Sequence, residues 1–109
     1  MFDDNQRAFC SVNSRLVSNV LNEVLNGFVV DNFPQTIGMS RSELQKVLAY
    51  AADCAEGERI GLNHHQSKAF RNALSETLRE LGIEEFHART GFDFEEGLDV
   101  LKDLDRTLD

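Results

Sequence analysis

The feature that most constrains how this chain can fold is a similarity between its two halves. Sliding the 109-residue sequence against itself by 53 positions gives ten identities across the 35 positions from Ser14 to Leu48. These identities fall on residues that a repeated fold needs, namely core aliphatics, a turn glycine and a capping glutamate. The identical pairs are Ser14/Ser67, Asn19/Asn72, Leu21/Leu74, Glu23/Glu76, Leu25/Leu78, Phe33/Phe86, Gly38/Gly91, Glu43/Glu96, Val47/Val100 and Leu48/Leu101. The sequence therefore predicts a single domain, residues 1–109, with internal repeats at about 1–56 and 57–109.

Each repeat is expected to be a helix-loop-helix unit. A long helix leads into a compact loop or short helix around a phenylalanine, and a second long helix follows. Such a unit cannot cover its own apolar face, and packing two copies together buries both faces. The predicted fold is therefore all-α, a compact helical bundle of about four long helices built from two tandem repeats at a 53-residue offset.

The first long helix is indicated by apolar residues at helical spacing from Leu16 to Leu25, with Gly27 as its C-terminal stop. No segment alternates between apolar and polar residues for long enough to predict a long strand. Two segments, Gly27–Val30 and Arg59–Leu62, could each contain a short extended piece.

The other three long helices are indicated by their capping residues. They are expected to begin after Ser40, Asn63 and Asp93, each followed three residues later by the Glu or Gln of a capping box. We expect the second helix to end near Gly57 and the third to stop at Gly82, because glycine favours helix C-termini.

The composition is typical of a globular protein that needs neither disulfides nor a structural metal. Apolar residues make up 41% of the chain, and 28% of the residues are charged. The two cysteines, Cys10 and Cys54, are too far apart in sequence to suggest a metal or redox motif. An acidic beginning and the absence of a long apolar run predict a cytoplasmic protein with no membrane association.

Charge narrows the class of partner. The formal net charge is -8, with 19 acidic and 11 basic residues. Four basic and seven acidic residues give -3 for residues 1–56, whereas seven basic and twelve acidic residues give -5 for residues 57–109. An acidic surface repels nucleic acid and anionic lipid, so it favours basic partners or simple solubility.

One segment nevertheless resembles a helix-turn-helix, the DNA-binding motif. In the stretch from Phe33 to Leu48, Ile37 and Met39 flank Gly38 in a turn, and Ser40 caps the helix that follows. The resemblance implies a second helix, residues 40–53, that would present four side chains to bases or phosphates. These alternative nucleic-acid contacts are Arg41, Ser42, Gln45 and Lys46.

The second repeat counts against this interpretation. Its equivalent helix keeps the glycine, the cap and the Val-Leu pair, but it is expected to point five carboxylates outward: Glu95, Glu96, Asp99, Asp103 and Asp105. Such a face cannot enter a groove lined by phosphates. In the first repeat, Pro34 limits the preceding helix to about one turn, and Glu43 and Asp53 offset the basic residues. The shared pattern therefore describes how the unit folds rather than what it binds.

No catalytic or metal-binding pattern is present in the sequence. There is no nucleophile elbow, phosphate-binding glycine loop or His-Glu-x-x-His motif. His64 and His65 are adjacent, so on a helix they point about 100° apart and do not form a chelating pair. Glu84 and His87 lack the second such pair that a di-metal bundle needs. We therefore expect no catalytic residues, no metal and no cofactor, and hence no enzyme.

The leading hypothesis is a small acidic protein that binds a basic protein partner through a helical surface. The expected contacts are Glu95, Glu96, Asp99 and Asp103. In size and charge the chain is analogous to immunity proteins and antitoxins, which mask basic active sites, although no motif supports that analogy. The alternative is a helix-turn-helix DNA-binding regulator, whose basic surface a dimer would double. A third interpretation is a subunit of a homo-oligomeric scaffold.

Overall fold

A computed structural model describes residues 10–54 and 57–108 of the chain. The elements of the first half are strand β1 (Cys10–Asn13), helix α1 (Ser14–Asn22), a π-helical turn (Glu23–Gly27), helix α2 (Phe33–Ile37) and helix α3 (Arg41–Ala52). Those of the second half are strand β2 (Arg59–Leu62), helix α4 (His64–Thr90) and helix α5 (Phe94–Leu108). The fold is mostly helical and compact, with a Cα radius of gyration of 12.9 Å. The predicted helical class is therefore confirmed, with a small sheet added to it.

The sheet consists of β1 and β2, which pair antiparallel with Val12 opposite Ile60 and Cys10 opposite Leu62. The extended piece predicted at Arg59–Leu62 is confirmed as a strand, whereas at Gly27–Val30 only Phe28 is shown to be extended, with φ -155° and ψ 168°, and no strand forms. There the chain instead closes the π-helical turn, where the Phe28 N–H donates to the Glu23 carbonyl at 3.2 Å. Strand β1 was not predicted, because its paired residues lie 46 to 52 positions away along the chain and a segment of four residues is too short to show a period.

The capping residues define the helix starts as predicted. The Glu43 N–H donates to Ser40 Oγ at 3.2 Å, and the Gln66 N–H donates to Asn63 Oδ1 at 2.7 Å. Both capping boxes are complete. At α5 the Asp93 N–H donates to Glu96 Oε1 at 3.2 Å, which is the returning contact of such a box.

Two predicted helix ends need correction. Helix α3 ends at Ala52 rather than near Gly57, because the Cys54 N–H bonds to the Ala51 carbonyl in a tighter turn. The proposed core residue Ala55 lies outside the described residues. At Gly82 the backbone leaves the helical region, with φ 73° and ψ -174°, but helical structure resumes at once. Gly82 is therefore a kink within α4 rather than its end.

A single hydrophobic core joins all the helices, and α4 lies at its centre. Helix α4 packs against α1, α2 and α5, while α1 also packs against α3. Phe70 and Phe86, both on α4, are the largest fully buried side chains. Gly97 lets α5 come close to α4, because a Cβ atom at this position would lie 2.9 Å from Phe86 Cζ and 3.0 Å from Leu78 Cδ2.

Two hydrogen bonds connect the halves in a reciprocal way. Asn19 on α1 donates from Nδ2 to the carbonyl of Thr90 at 2.8 Å, and Asn72 on α4 donates to the carbonyl of Ile37 at 2.9 Å. The donors are 53 residues apart, and so are the acceptors. Each asparagine thus satisfies the last carbonyl of a helix that belongs to the other half.

The turns that follow these carbonyls are also alike. Gly38 and Gly91 are both left-handed, with φ 92° and 80°. Their N–H groups donate to the carbonyls of Pro34 and His87, at 2.8 and 2.9 Å. Glycine is required at both positions because a side chain strains this backbone conformation.

Candidate protein-binding surface

The four predicted contact residues, Glu95, Glu96, Asp99 and Asp103, are all exposed on α5. Two of them already have partners within the chain: Glu96 accepts from the Asp93 N–H, and Asp103 forms an ion pair with Arg106. The expectation that Asp105 points outward as well needs correction. Asp105 is only partly exposed, because its Oδ1 pairs with Arg71 Nε at 2.5 Å.

Charge is unevenly distributed along α5. Lys102 and Arg106 lie on the same helical face as Glu95 and Asp99, at spacings of three and four residues. They reduce the negative charge of the C-terminal half of the helix. The segment from Asp93 to Asp99, counting both ends, contains four carboxylates and no basic residue. The negative surface is therefore concentrated at the N-terminal end of α5.

A cleft adjoins this end of the helix, which we call the acidic cleft. It has a volume of about 370 Å³ and lies where the last two turns of α4 meet the start of α5. The residues that line it are Ile83, Glu84, His87, Asp93, Phe94 and Glu95. Three carboxylates thus surround two apolar side chains. Of these residues, only Glu95 was among the contacts predicted from sequence.

Ile83 is the unexpected member of the acidic cleft. Its side chain is 70% exposed, whereas Val30, the residue 53 positions earlier, is only 8% exposed. Both residues are aliphatic, so their sequence positions alone would predict the same burial. Helix α2 packs against α4 and Val30 belongs to the hydrophobic core, whereas Ile83 directly follows the kink at Gly82 and faces solvent.

Arg89, near the C-terminal end of α4, is paired within the fold. Arg89 Nη1 donates to Glu23 Oε1 at 3.1 Å, and Arg89 Nε donates to Glu85 Oε2 at 3.2 Å. The hydrogen bond and the charge of Glu23 raise the pKa of Arg89 above its ordinary value, and Glu85 adds to this effect. The guanidinium is thereby committed to Glu23 and Glu85, so it does not neutralise the carboxylates of the acidic cleft.

The four residues of the helix-turn-helix alternative are exposed on α3, but they are not equally available. Arg41 Nη1 donates to the Leu25 carbonyl at 2.9 Å, and its guanidinium lies 4.4 Å from the centroid of the Phe33 ring. Ser42, Gln45 and Lys46 face solvent. Of the two basic residues in the resemblance to a helix-turn-helix, only Lys46 makes no described contact within the fold. Phosphate binding usually needs several basic side chains.

A second cavity of about 460 Å³ lies between β1 and the C-terminal half of α5. Arg59 forms part of its wall and donates to the Ser11 carbonyl at 2.5 Å and to Ser11 Oγ at 3.1 Å. These contacts satisfy groups on strand β1. Arg59 and Arg106 contribute positive charge to this cavity, whereas three carboxylates line the acidic cleft.

Within residues 10–54 and 57–108, no group of three or more His, Cys, Asp or Glu side chains is arranged to hold a metal ion. None of the helices described there is both long enough and apolar enough to cross a bilayer. Comparison with known proteins finds no matching family model, no matching curated protein and no matching solved structure.

Proposed function

We propose that this protein acts by binding a basic protein, without catalysis, through the acidic N-terminal end of α5. The observation that carries the proposal is the run from Asp93 to Asp99, where exposed carboxylates occur with no basic residue among them. Carboxylates in the first turn also stabilise a helix N-terminus. That effect accounts for Glu95 and Glu96, but it does not extend to Asp99 or to Glu84 on the neighbouring helix.

Electrostatic complementarity would act mainly on the rate and selectivity of association. An acidic patch attracts a basic surface over about a Debye length, roughly 8–10 Å at physiological salt, and accelerates encounter. A regulatory or inhibitory role of the immunity-protein kind fits this behaviour, because a basic active site is a surface that such a patch would mask. The two free cysteines suit a reducing compartment such as the cytoplasm.

We further propose that the binding surface belongs to the second of two tandem copies of one unit, related by an approximate twofold axis. The reciprocal bonds of Asn19 and Asn72 support this architecture, as do the matched left-handed turns at Gly38 and Gly91. In this view α1 and α3 of the first copy correspond to α4 and α5 of the second. In this proposal the two copies have similar buried residues, and the partner binds exposed residues that only the second copy has.

The proposal is tested by affinity capture from native lysate at low and high salt, with reconstitution of the captured protein from purified components. Three forms of the chain are compared. The wild type stands beside the triple variant Glu95→Gln, Glu96→Gln, Asp99→Asn. The control is Asp31→Asn, Glu58→Gln, Glu80→Gln, which removes three exposed carboxylates elsewhere and so changes the net charge equally.

We expect the wild type and the control to capture the same basic protein at low salt and to release it at high salt. The α5 variant should lose it. A partner held equally at both salt concentrations, or equally by both variants, would contradict the proposal, as would the absence of any salt-sensitive capture. Titration with duplex DNA tests the alternative, for which Lys46→Gln would reduce binding and the α5 variant would not.

A further inference from the structure

The acidic cleft combines an exposed apolar side chain with carboxylates, and this combination narrows what can bind there. Ile83 is 70% exposed at the mouth of the cleft. An aliphatic residue in contact with water gains free energy when a partner covers it. A purely hydrophilic partner would leave it uncovered, so the structure favours a ligand with an apolar part.

The charges of the cleft determine the other part of the ligand. Glu84, Asp93 and Glu95 all line it. His87 is the only residue in the lining that can carry positive charge, and its Nε2 lies 3.7 Å from Asp93 Oδ1. Charge complementarity therefore requires a cationic group. A volume of about 370 Å³ has room for one or two side chains rather than for a folded element.

The aromatic ring in the lining favours one kind of cation. Phe94 meets Phe86 edge to face, with a centroid distance of 6.1 Å and an interplanar angle of 84°. Arginine stacks on aromatic rings and binds carboxylates through a planar fork, whereas lysine presents a compact charge. In the first half of the chain, Arg41 shows the aromatic part of such a contact, since its guanidinium lies 4.4 Å from the centroid of the Phe33 ring.

We propose that the acidic cleft is the docking site for an arginine of the basic partner, with an adjacent aliphatic residue of that partner covering Ile83. The guanidinium lies against Phe94 and pairs with the carboxylates of Glu84, Asp93 and Glu95. This inference rests on the proposed function and deepens it. It places the energetic centre of binding at the junction of α4 and α5 rather than along the whole outer face of α5.

The test is a titration of the ¹⁵N-labelled protein with a capped arginyl-leucine dipeptide. Binding is monitored through the amide chemical shifts of the protein. The comparison ligand replaces arginine by citrulline, which has almost the same shape and no charge. We expect shifts confined to residues 83–95 and a dissociation constant lower by about threefold or more for the arginine ligand. Equal affinity for both ligands, or shifts spread over the protein, would overturn the proposal.

A pair of variants separates the apolar contact from the charge. Ile83→Ser should weaken binding of the arginyl-leucine ligand about fourfold, on the scale of one methylene group removed from water. Val29→Ser is the matched control, because Val29 is 83% exposed and lies outside the cleft, and it should leave binding unchanged. Equal effects of the two substitutions would show that Ile83 is not a contact.

Glu84→Gln distinguishes failure of this inference from failure of the proposed function. Glu84 lies in the cleft but not on α5. Loss of dipeptide binding in this variant, together with loss of the captured partner, supports the docking site. If Glu84→Gln binds both normally while the α5 triple variant loses the partner, the docking site is wrong and the proposed function stands. If the triple variant also keeps its partner, both are wrong.

Discussion

In the first half of the chain Arg41 lies 4.4 Å from the Phe33 ring and donates to the carbonyl of Leu25. At the positions 53 residues later, Phe94 meets Phe86 edge to face. The first half therefore places a cation against its aromatic ring, whereas the second places Phe94 against the ring of Phe86 and leaves an apolar and acidic cleft beside Phe94. Two regions with the same turns and helix caps can thus differ in the side chains that they expose to a binding partner.

The largest expected changes in the free energy of unfolding come from a pair of positions 53 residues apart that carry different residues. Leu44 is fully buried, and its counterpart is Gly97. We expect Leu44→Ala to lower the free energy of unfolding by about 2–5 kcal/mol, because it leaves a cavity. Gly97→Ala should also destabilise, by about 1–3 kcal/mol, because the added methyl meets Phe86.

The measurement is urea denaturation followed by circular dichroism, with both variants compared with wild type. Helix propensity alone predicts the opposite result at Gly97, because alanine favours a helix by about 1 kcal/mol over glycine. A more stable Gly97→Ala variant would show that α5 can move away from α4 at little cost.

The next effect compares Val30 with Ile83. Val30→Ser should destabilise the protein by about 1–3 kcal/mol, because this side chain is buried. Ile83→Ser should change stability by no more than about 0.5 kcal/mol, because Ile83 is mostly exposed. Thermal or urea unfolding checks both values. Similar losses at the two positions would mean that Ile83 is covered in solution and that the cleft is closed.

A smaller and similar effect is expected at the two reciprocal bonds, with a small additional loss at Asn72, whose Oδ1 also accepts from Arg71 Nη1 at 3.1 Å. Asn19→Ala and Asn72→Ala should each cost about 1–2 kcal/mol, because each leaves a helix-terminal carbonyl without its donor. Urea unfolding of the single and double variants measures both costs and their sum. Asn26→Ala is a suitable control, since its amide contacts only Asn22 on the surface in the described bonds. Strongly unequal costs would weaken the proposed twofold relation.

The smallest effect concerns Arg41. Arg41→Lys keeps the charge but loses the planar contact with Phe33 and the geometry of the bond to Leu25, and we expect a loss of about 0.5–1 kcal/mol. Denaturation at low and high salt measures this loss, which should change little with salt. An unchanged stability would indicate that Arg41 is free in solution, and it would strengthen the DNA-binding alternative.

Sequence reasoning located the candidate site only in part. Five carboxylates of α5 were predicted to point outward. Four of them are exposed, Glu95, Glu96, Asp99 and Asp103, whereas Asp105 is only partly exposed. Glu84, His87 and Ile83 were not connected with them, because the turn at Gly91 brings the end of α4 beside the start of α5. A turn glycine predicts a change of direction, but not which side chains the change brings together.

Local chemistry determined much of this protein from sequence alone. The caps at Ser40 and Asn63 and the left-handed turns at Gly38 and Gly91 follow from which backbone groups a helix leaves unpaired and which residues can satisfy them. These interactions span four or five residues, so a single stretch of sequence contains both partners.

Only the tertiary structure decided the pairing of β1 with β2, the engagement of Arg41 and Arg89, and the exposure of Ile83. Each of these depends on groups from different elements, many of them far apart along the chain. Such contacts form only after the chain has closed a long loop between the two residues, which costs conformational entropy. A short stretch of sequence contains only one of the two partners, so it cannot predict the contact. The caps and glycine turns of both halves follow from local sequence, and the meeting of α4 with α5 determines that an apolar, acidic cleft lies at the surface of the second half.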